Sequence, residues 1–349
     1  HHLDGILAFA GKGLYVLGGL IVIFTVRDVR WIAGAFTCAM GVQSLAAIAL
    51  VLRRHRGLRF SVSWSCQSLL VRHACLFFTI NAFTTLHLKF AHMAIGKFCS
   101  RADIAYFNIA AMLVLVPIVL ANAFVQSMYP VLSACHAHQD GEFWPKVKLG
   151  MRWLAALAFP VIIFMSIDGG RLIASVFKSE YLAGLVPLQI LLWGLGLDFF
   201  NPFSGHVLYV LNRQRVVIGI TAASVAANVV ANLILVPRFG IIGASCAMVF
   251  SLSVMFWGYA LALRRWLPVS ALLGRILPPL LVAGALAPLA WWLRAYLPFI
   301  VNGALYCALC AAAYFALGLL RRQDLQMFSF VRPAPPVAPD AGDITTLAE

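Results

Sequence analysis

Apolar residues in this chain come in long unbroken runs, not at the alternating spacing of a half-buried strand or the three-to-four spacing of a surface helix. Ten runs, at about residues 4–26, 31–52, 68–95, 105–131, 149–167, 183–211, 216–236, 241–263, 272–293 and 297–320, are long enough to cross a hydrocarbon layer of roughly 30 Å at 1.5 Å per residue. The pattern predicts an all-α, polytopic integral membrane protein of about ten transmembrane helices. The best-marked stretch is 212–248, where Arg213 and Arg215 precede an apolar run, and Pro237 and Gly240 interrupt the backbone before a second run begins. That arrangement predicts a transmembrane hairpin. Asn228 and Asn232 are four residues apart and share one helix face, where each amide needs a partner on another helix or in a wet cavity. Small residues beside them, including Ala227 and Ala231, let a second helix approach closely. Residues 323–349, rich in Pro and Ala, predict a disordered tail.

Composition narrows the class further. A mean hydropathy of +0.92, with 62% hydrophobic and 11% charged residues, excludes a soluble globular protein. The net charge of +14 does not point to nucleic acid, because no polar domain carries the cations. They sit in the loops instead. Fourteen Lys and Arg fall in one alternate set of loops (Arg53–Arg59, Lys146–Arg152, Arg213–Arg215, Arg264–Arg265, Arg321–Arg332), and eight in the other. Positive loops stay on the cytoplasmic side, so the first set and both ends of the chain are expected there. The chain opens on His1 with no initiator Met and no signal segment, and reads as starting in mid-protein.

An ionisable residue inside a span costs about 2.5–3.5 kcal/mol at its centre and needs a reason. Lys12, Arg72, Lys89 and Asp198 stand out. Asn81, Thr85, Lys89 and His92 form one polar stripe, which either lines a cavity or lets Lys89 and His92 snorkel to the headgroups. Arg72 and Lys12 carry the same pair of readings. Asp198 lies midway through a long span, just before Asn201 and Pro202, and a helix broken there would make it a proton or cation site. The other reading is a locally bonded kink residue. Cys135, His136 and His138 do not complete a metal set, and Cys307-x-x-Cys310 lies inside a span. No nucleophile triad, phosphate loop or carboxylate pair occurs between spans, so neither an enzyme nor a cofactor is expected.

The paired asparagines, the Leu233-Ile234-Leu235-Val236-Pro237 and Phe239-Gly240-Ile241-Ile242-Gly243-Ala244-Ser245 turn, Met128-Tyr129-Pro130 and Phe177-Lys178-Ser179-Glu180-Tyr181 together resemble the Wzx-like polysaccharide flippases over roughly residues 70–265. That branch belongs to a superfamily shared with MATE multidrug exporters and lipid II flippases. The resemblance implies a two-lobe fold of six plus six helices with two extra at the C-terminus. A faint echo of residues 33–54 in 242–265, about 210 residues apart, fits such a repeat. On this count 1–59 holds the last two helices of an incomplete N-terminal lobe, 60–267 the C-terminal lobe, 268–322 the extra pair and 323–349 the tail. On this count four helices of the family's plan are expected to be missing before them, and the 349-residue chain by itself is expected to be inactive. The implied activity is flipping an undecaprenyl-diphosphate-linked oligosaccharide outward across the bacterial inner membrane for O-antigen, capsule or exopolysaccharide synthesis. Implied partners are that substrate, membrane lipids, H+ or Na+, and a polysaccharide polymerase with its chain-length protein. Lys12, Arg72, Lys89, His92 and Asn81 are the expected substrate cavity, Asp198 the ion-coupling residue, and Asn228 and Asn232 packing or cavity amides. The acidic residue that family members place just after the basic residue of the third span is missing after Lys89. A multidrug or lipid II exporter is the alternative, and an inactive fragment or a membrane-embedded polymerase the further ones.

Overall fold

The computed structural model describes residues 89–138 and 141–321 continuously and single residues between 34 and 87. The chain divides into two compact units, His1–His73 and Ala74–Glu349. The few residues described in the first unit are helical and exposed. Every regular element described in the second is also helical. Helix α1 is seen at residues 82–83, 85–87 and 89–98. It is followed by α2 (Arg101–His138), α3 (Phe143–Val176), a short 3-10 turn (Ser179–Gly184), α4 (Leu185–Val210), α5 (Gln214–Leu263), α6 (Val269–Leu293) and α7 (Phe299–Ala316). Among the described residues, six helices are long and apolar enough to cross a membrane. The fold is therefore all-α and polytopic, as expected; the spans predicted at 4–26 and 31–52 lie essentially outside the described residues.

Local chemistry explains the boundaries. Ser100 and Asp103 close a capping box at the start of α2, with the Asp103 amide donating to Ser100 Oγ at 3.2 Å and the Ser100 amide donating to Asp103 Oδ2 at 3.0 Å. Asn212, at φ 55°, makes the tight turn between α4 and α5 in a conformation that Asn tolerates better than most residues. Gly240, at φ 56° and ψ −133°, breaks α5 into two arms.

The arms fold back on each other. Ser224 Oγ donates to the Ser251 carbonyl at 2.8 Å, Asn228 Nδ2 donates to Ser251 Oγ at 3.1 Å, and a Cβ at Gly243 would collide with the Leu235 carbonyl. Contacts at 224 with 251 and 235 with 243 run antiparallel, which is the predicted hairpin.

The second unit is built around α4, which packs on α2, α3 and α5. Its buried Leu188, Leu192, Leu195, Phe199 and Phe203 form the core. A Cβ at Gly150 would meet the Phe203 ring, so α3 and α4 touch almost backbone to side chain. The α6–α7 pair is tied to α3 near both of its ends. Arg152 Nη1 donates to the Leu319 carbonyl at 2.9 Å, while Arg171 donates to the carbonyls of Arg294 and Leu297 at 2.8 Å each. Asp168, 1% exposed, accepts from Asn302 Nδ2 at 3.0 Å and lies 3.4 Å from Arg171. The span predicted at 149–167 extends to Val176, which puts both Asp168 and its ion-pair partner Arg171 inside the helix. Asp168-Gly169-Gly170-Arg171 reads as a loop, but the carboxylate is satisfied by α7, so the helix can continue through it.

Candidate functional site

Between α1, α2, α4 and the two arms of α5 lies a cavity of about 360 Å³. Helix α1 contributes His87, α2 contributes Leu115, Ile118 and Asn122, and α4 contributes Asp198, Asn201, Pro202 and Tyr209. The α5 arms add Thr221 and Val217 from one side and Met248, Leu252, Met255 and Tyr259 from the other. Polar groups are thus set on a mostly apolar wall, the usual make-up of a small-molecule or ion site.

Asp198 is half-buried, and no cation among the described residues pairs with it. The predicted break at Asn201 and Pro202 is absent. Helix α4 runs unbroken from Leu185 to Val210 with Pro202 inside it. Asn201 is not an N-cap; it is 2% exposed, and its Nδ2 donates to the Leu252 carbonyl on the second arm of α5 at 3.2 Å. Packing on three neighbours holds the helix through the proline, and His206 Nδ1 lies 2.7 Å from the Pro202 carbonyl. Because Pro202 has no N–H, the carbonyl four residues back, that of Asp198, loses its helical donor. A carboxylate and a freed carbonyl therefore sit at one residue of the cavity wall without a helix break. Asn201 Oδ1 beside them is buried with no partner.

His87 is one of several polar cavity residues that the sequence reading missed, with Asn122, Tyr209, Thr221 and Tyr259. It is 6% exposed, its Nε2 lies 3.5 Å from Ser251 Oγ, and its Nδ1 has no partner. Ser251 Oγ donates to the Met248 carbonyl at 2.8 Å and accepts from Asn228. The arrangement assigns the His87 proton to Nε2 and leaves Nδ1 as a bare acceptor. Asn228 and Asn232 are fully buried; Asn232 Nδ2 donates to the Asn228 carbonyl at 2.8 Å, so the amide pair positions Ser251, and through it His87, from behind the cavity wall.

Lys89 is exposed and stands outside this lining, as does His92, which lies 3.2 Å from Asn108 and edge-on to Phe107. Thr85 and Lys89 lie on the exposed face of α1, and the opposite face, carrying His87, Ala91 and Ile95, turns inward. Lys12, Arg72 and Asn81 lie outside the described residues.

Comparison with known proteins adds to this geometry. Residues 21–185 match the family described as polysaccharide biosynthesis protein. A probable low-salt glycan biosynthesis flippase of Haloferax volcanii is 20% identical over 258 residues, which are 70% of this chain and 54% of that protein. The chain spans about half the length of that relative. Among solved structures, the lipid II flippase MurJ in an inward closed conformation superposes with a TM-score of 0.70 at 12% identity, covering 89% of this chain and 68% of MurJ. An outward-facing multidrug resistance MATE transporter of the MOP superfamily gives 0.50 at 13% identity, covering 74% and 66%. The chain thus has the fold of the MOP-superfamily membrane transporters, with its residues 21–185 matching the polysaccharide biosynthesis family.

Proposed function

We propose that the protein flips a lipid-linked oligosaccharide across a membrane by alternating access. The observation that carries this reading is the match of residues 21–185 to a polysaccharide biosynthesis family, on a fold shared with a lipid II flippase. Residues 1–59 then belong to one lobe, 60–267 form the other, and 268–322 are the extra helix pair. Lys89, on the exposed face of α1 and outside the cavity that holds Asp198, meets the substrate's diphosphate. Asp198 binds the coupling H+ or Na+ inside the second lobe. The carrier is undecaprenyl diphosphate, and the product feeds a polymerase and its chain-length partner at the inner membrane. Expression of the full-length gene, and not of residues 1–349 by themselves, in a strain lacking its own oligosaccharide flippase should restore surface polysaccharide. Absence of restoration at normal membrane levels, with the relative from Haloferax tested alongside, would remove the proposal.

One observation favours a second reading. The cavity holds Asp198 and, among the described residues, no Lys or Arg, which suits an organic cation better than an anion. Dye-efflux assays in the same cells separate the two: accumulation of cationic dyes falls on expression only if the protein is a multidrug exporter.

A further inference from the structure

At one end of the second unit a smaller cavity, about 190 Å³, is lined by Leu208, Arg213, Val216, Ala262, Arg265 and Trp266. The hairpin makes it. Because the α5 arms are antiparallel, the turn before Gln214 and the turn after Leu263 lie at the same end, and each brings one arginine to the cavity. We propose that this cavity binds the phosphodiester headgroup of an anionic phospholipid, at the membrane face where the basic loops lie.

Both arginines are exposed, and neither has an acidic partner among the described residues. Two permanently charged guanidiniums converge there with no anion to neutralise them, and each offers the planar fork that fits phosphate oxygens. The walls between them are apolar: Leu208, Val216 and Ala262 come from the last or first turns of membrane helices, where glycerol and the first acyl carbons lie. Trp266, 39% exposed, stands at the rim and stacks on Trp144 at 6.0 Å and 14°, the placement of an interfacial aromatic. A cationic pocket with an apolar floor and an aromatic rim matches a lipid headgroup better than a free anion, which would gain nothing from the apolar wall. The inference stands whatever the transported substrate is.

The test is a lipid titration of the purified full chain in detergent, read by native mass spectrometry, with phosphatidylglycerol, phosphatidylcholine and inorganic phosphate as separate probes. Phosphatidylglycerol should bind more tightly than phosphatidylcholine. At roughly fivefold per cation, Arg213→Gln with Arg265→Gln should weaken it about 25-fold. Arg213→Lys with Arg265→Lys should keep part of the affinity, since charge is retained and the fork is lost. Arg294→Gln, at the opposite end, should leave it unchanged and serves as the folding and charge control. Equal binding of the two lipids, or of phosphatidylglycerol to wild type and to the Gln pair, would overturn the proposal. Arginine-dependent binding of inorganic phosphate as tight as that of the lipid would also overturn it, in favour of a free-anion site.

Discussion

Asp198 is a carboxylate in a cavity wall with no cation beside it among the described residues, and the proline four residues on strips its own carbonyl of a helical donor. A bound ion would offset the cost of placing such a group within the membrane. If it couples transport to an ion gradient, Asp198→Asn keeps the shape and removes the charge. Substrate should still bind, and gradient-driven accumulation should drop to the level seen with the gradient collapsed; unchanged accumulation would make Asp198 a kink residue. His87 belongs to the same wall, with an unpartnered acceptor nitrogen held in position by Ser251 and Asn228. Lys89, the most conspicuous charge of its span, points away from this wall because α1 turns its other face inward.

At the scale of elements, the α5 hairpin makes both cavities: its arms wall the larger one, and its two ends meet at the smaller. What keeps the arms together is close backbone approach at Gly243, the Ile220 side chain seated against Gly258, and the amide and hydroxyl bonds of Ser224 and Asn228. Membrane helices gain little from hydrophobicity when they associate, so packing and hydrogen bonds of this kind must hold them. Gly243→Ala should force the arms apart at Leu235 and cost about 1–3 kcal/mol, the usual range for overpacking. Thermal unfolding in detergent measures it. An unchanged midpoint would mean that the arms can separate freely at the turn.

At the scale of the molecule, its second unit has two chemically different ends. Lys146, Lys148, Arg152, Arg213, Arg215, Arg264, Arg265 and Arg321 lie at one end of the second unit with Trp144 and Trp266. The other end carries Lys97, Arg101, Arg171, Lys178, Arg238 and Arg294 with the exposed Trp291, Trp292 and Tyr296. Aromatic residues at both ends suit two membrane interfaces, and the eight cations against six make the first end the one expected to face the cytoplasm. Single cysteines placed at the exposed positions 145 or 214 on a cysteine-free background should resist an impermeant thiol reagent added from outside, while one at 296 should react. Labelling at 145 or 214 in intact cells would reverse the assignment of the two faces.

The sequence by itself determined that the chain is helical and membrane-embedded, where most of its described helices run, and that residues 212–248 turn back on themselves. These are local properties: the length of an apolar run, the missing N–H of Pro237 and the backbone freedom of Gly240 act within a few residues. Only the tertiary structure decided which face of α1 turns inward, that α4 continues through Pro202, that α3 continues through Asp168, and that Arg213 and Arg265 meet. Each depends on groups supplied by another helix, such as Ser251 near His87, Leu252 bonded to Asn201, and Asn302 bonded to Asp168. In water an apolar stripe betrays the buried face of a helix. In a membrane the outward face is as apolar as the core, so the pattern along the chain carries no such mark, and the inner face is known only once its neighbours are in place.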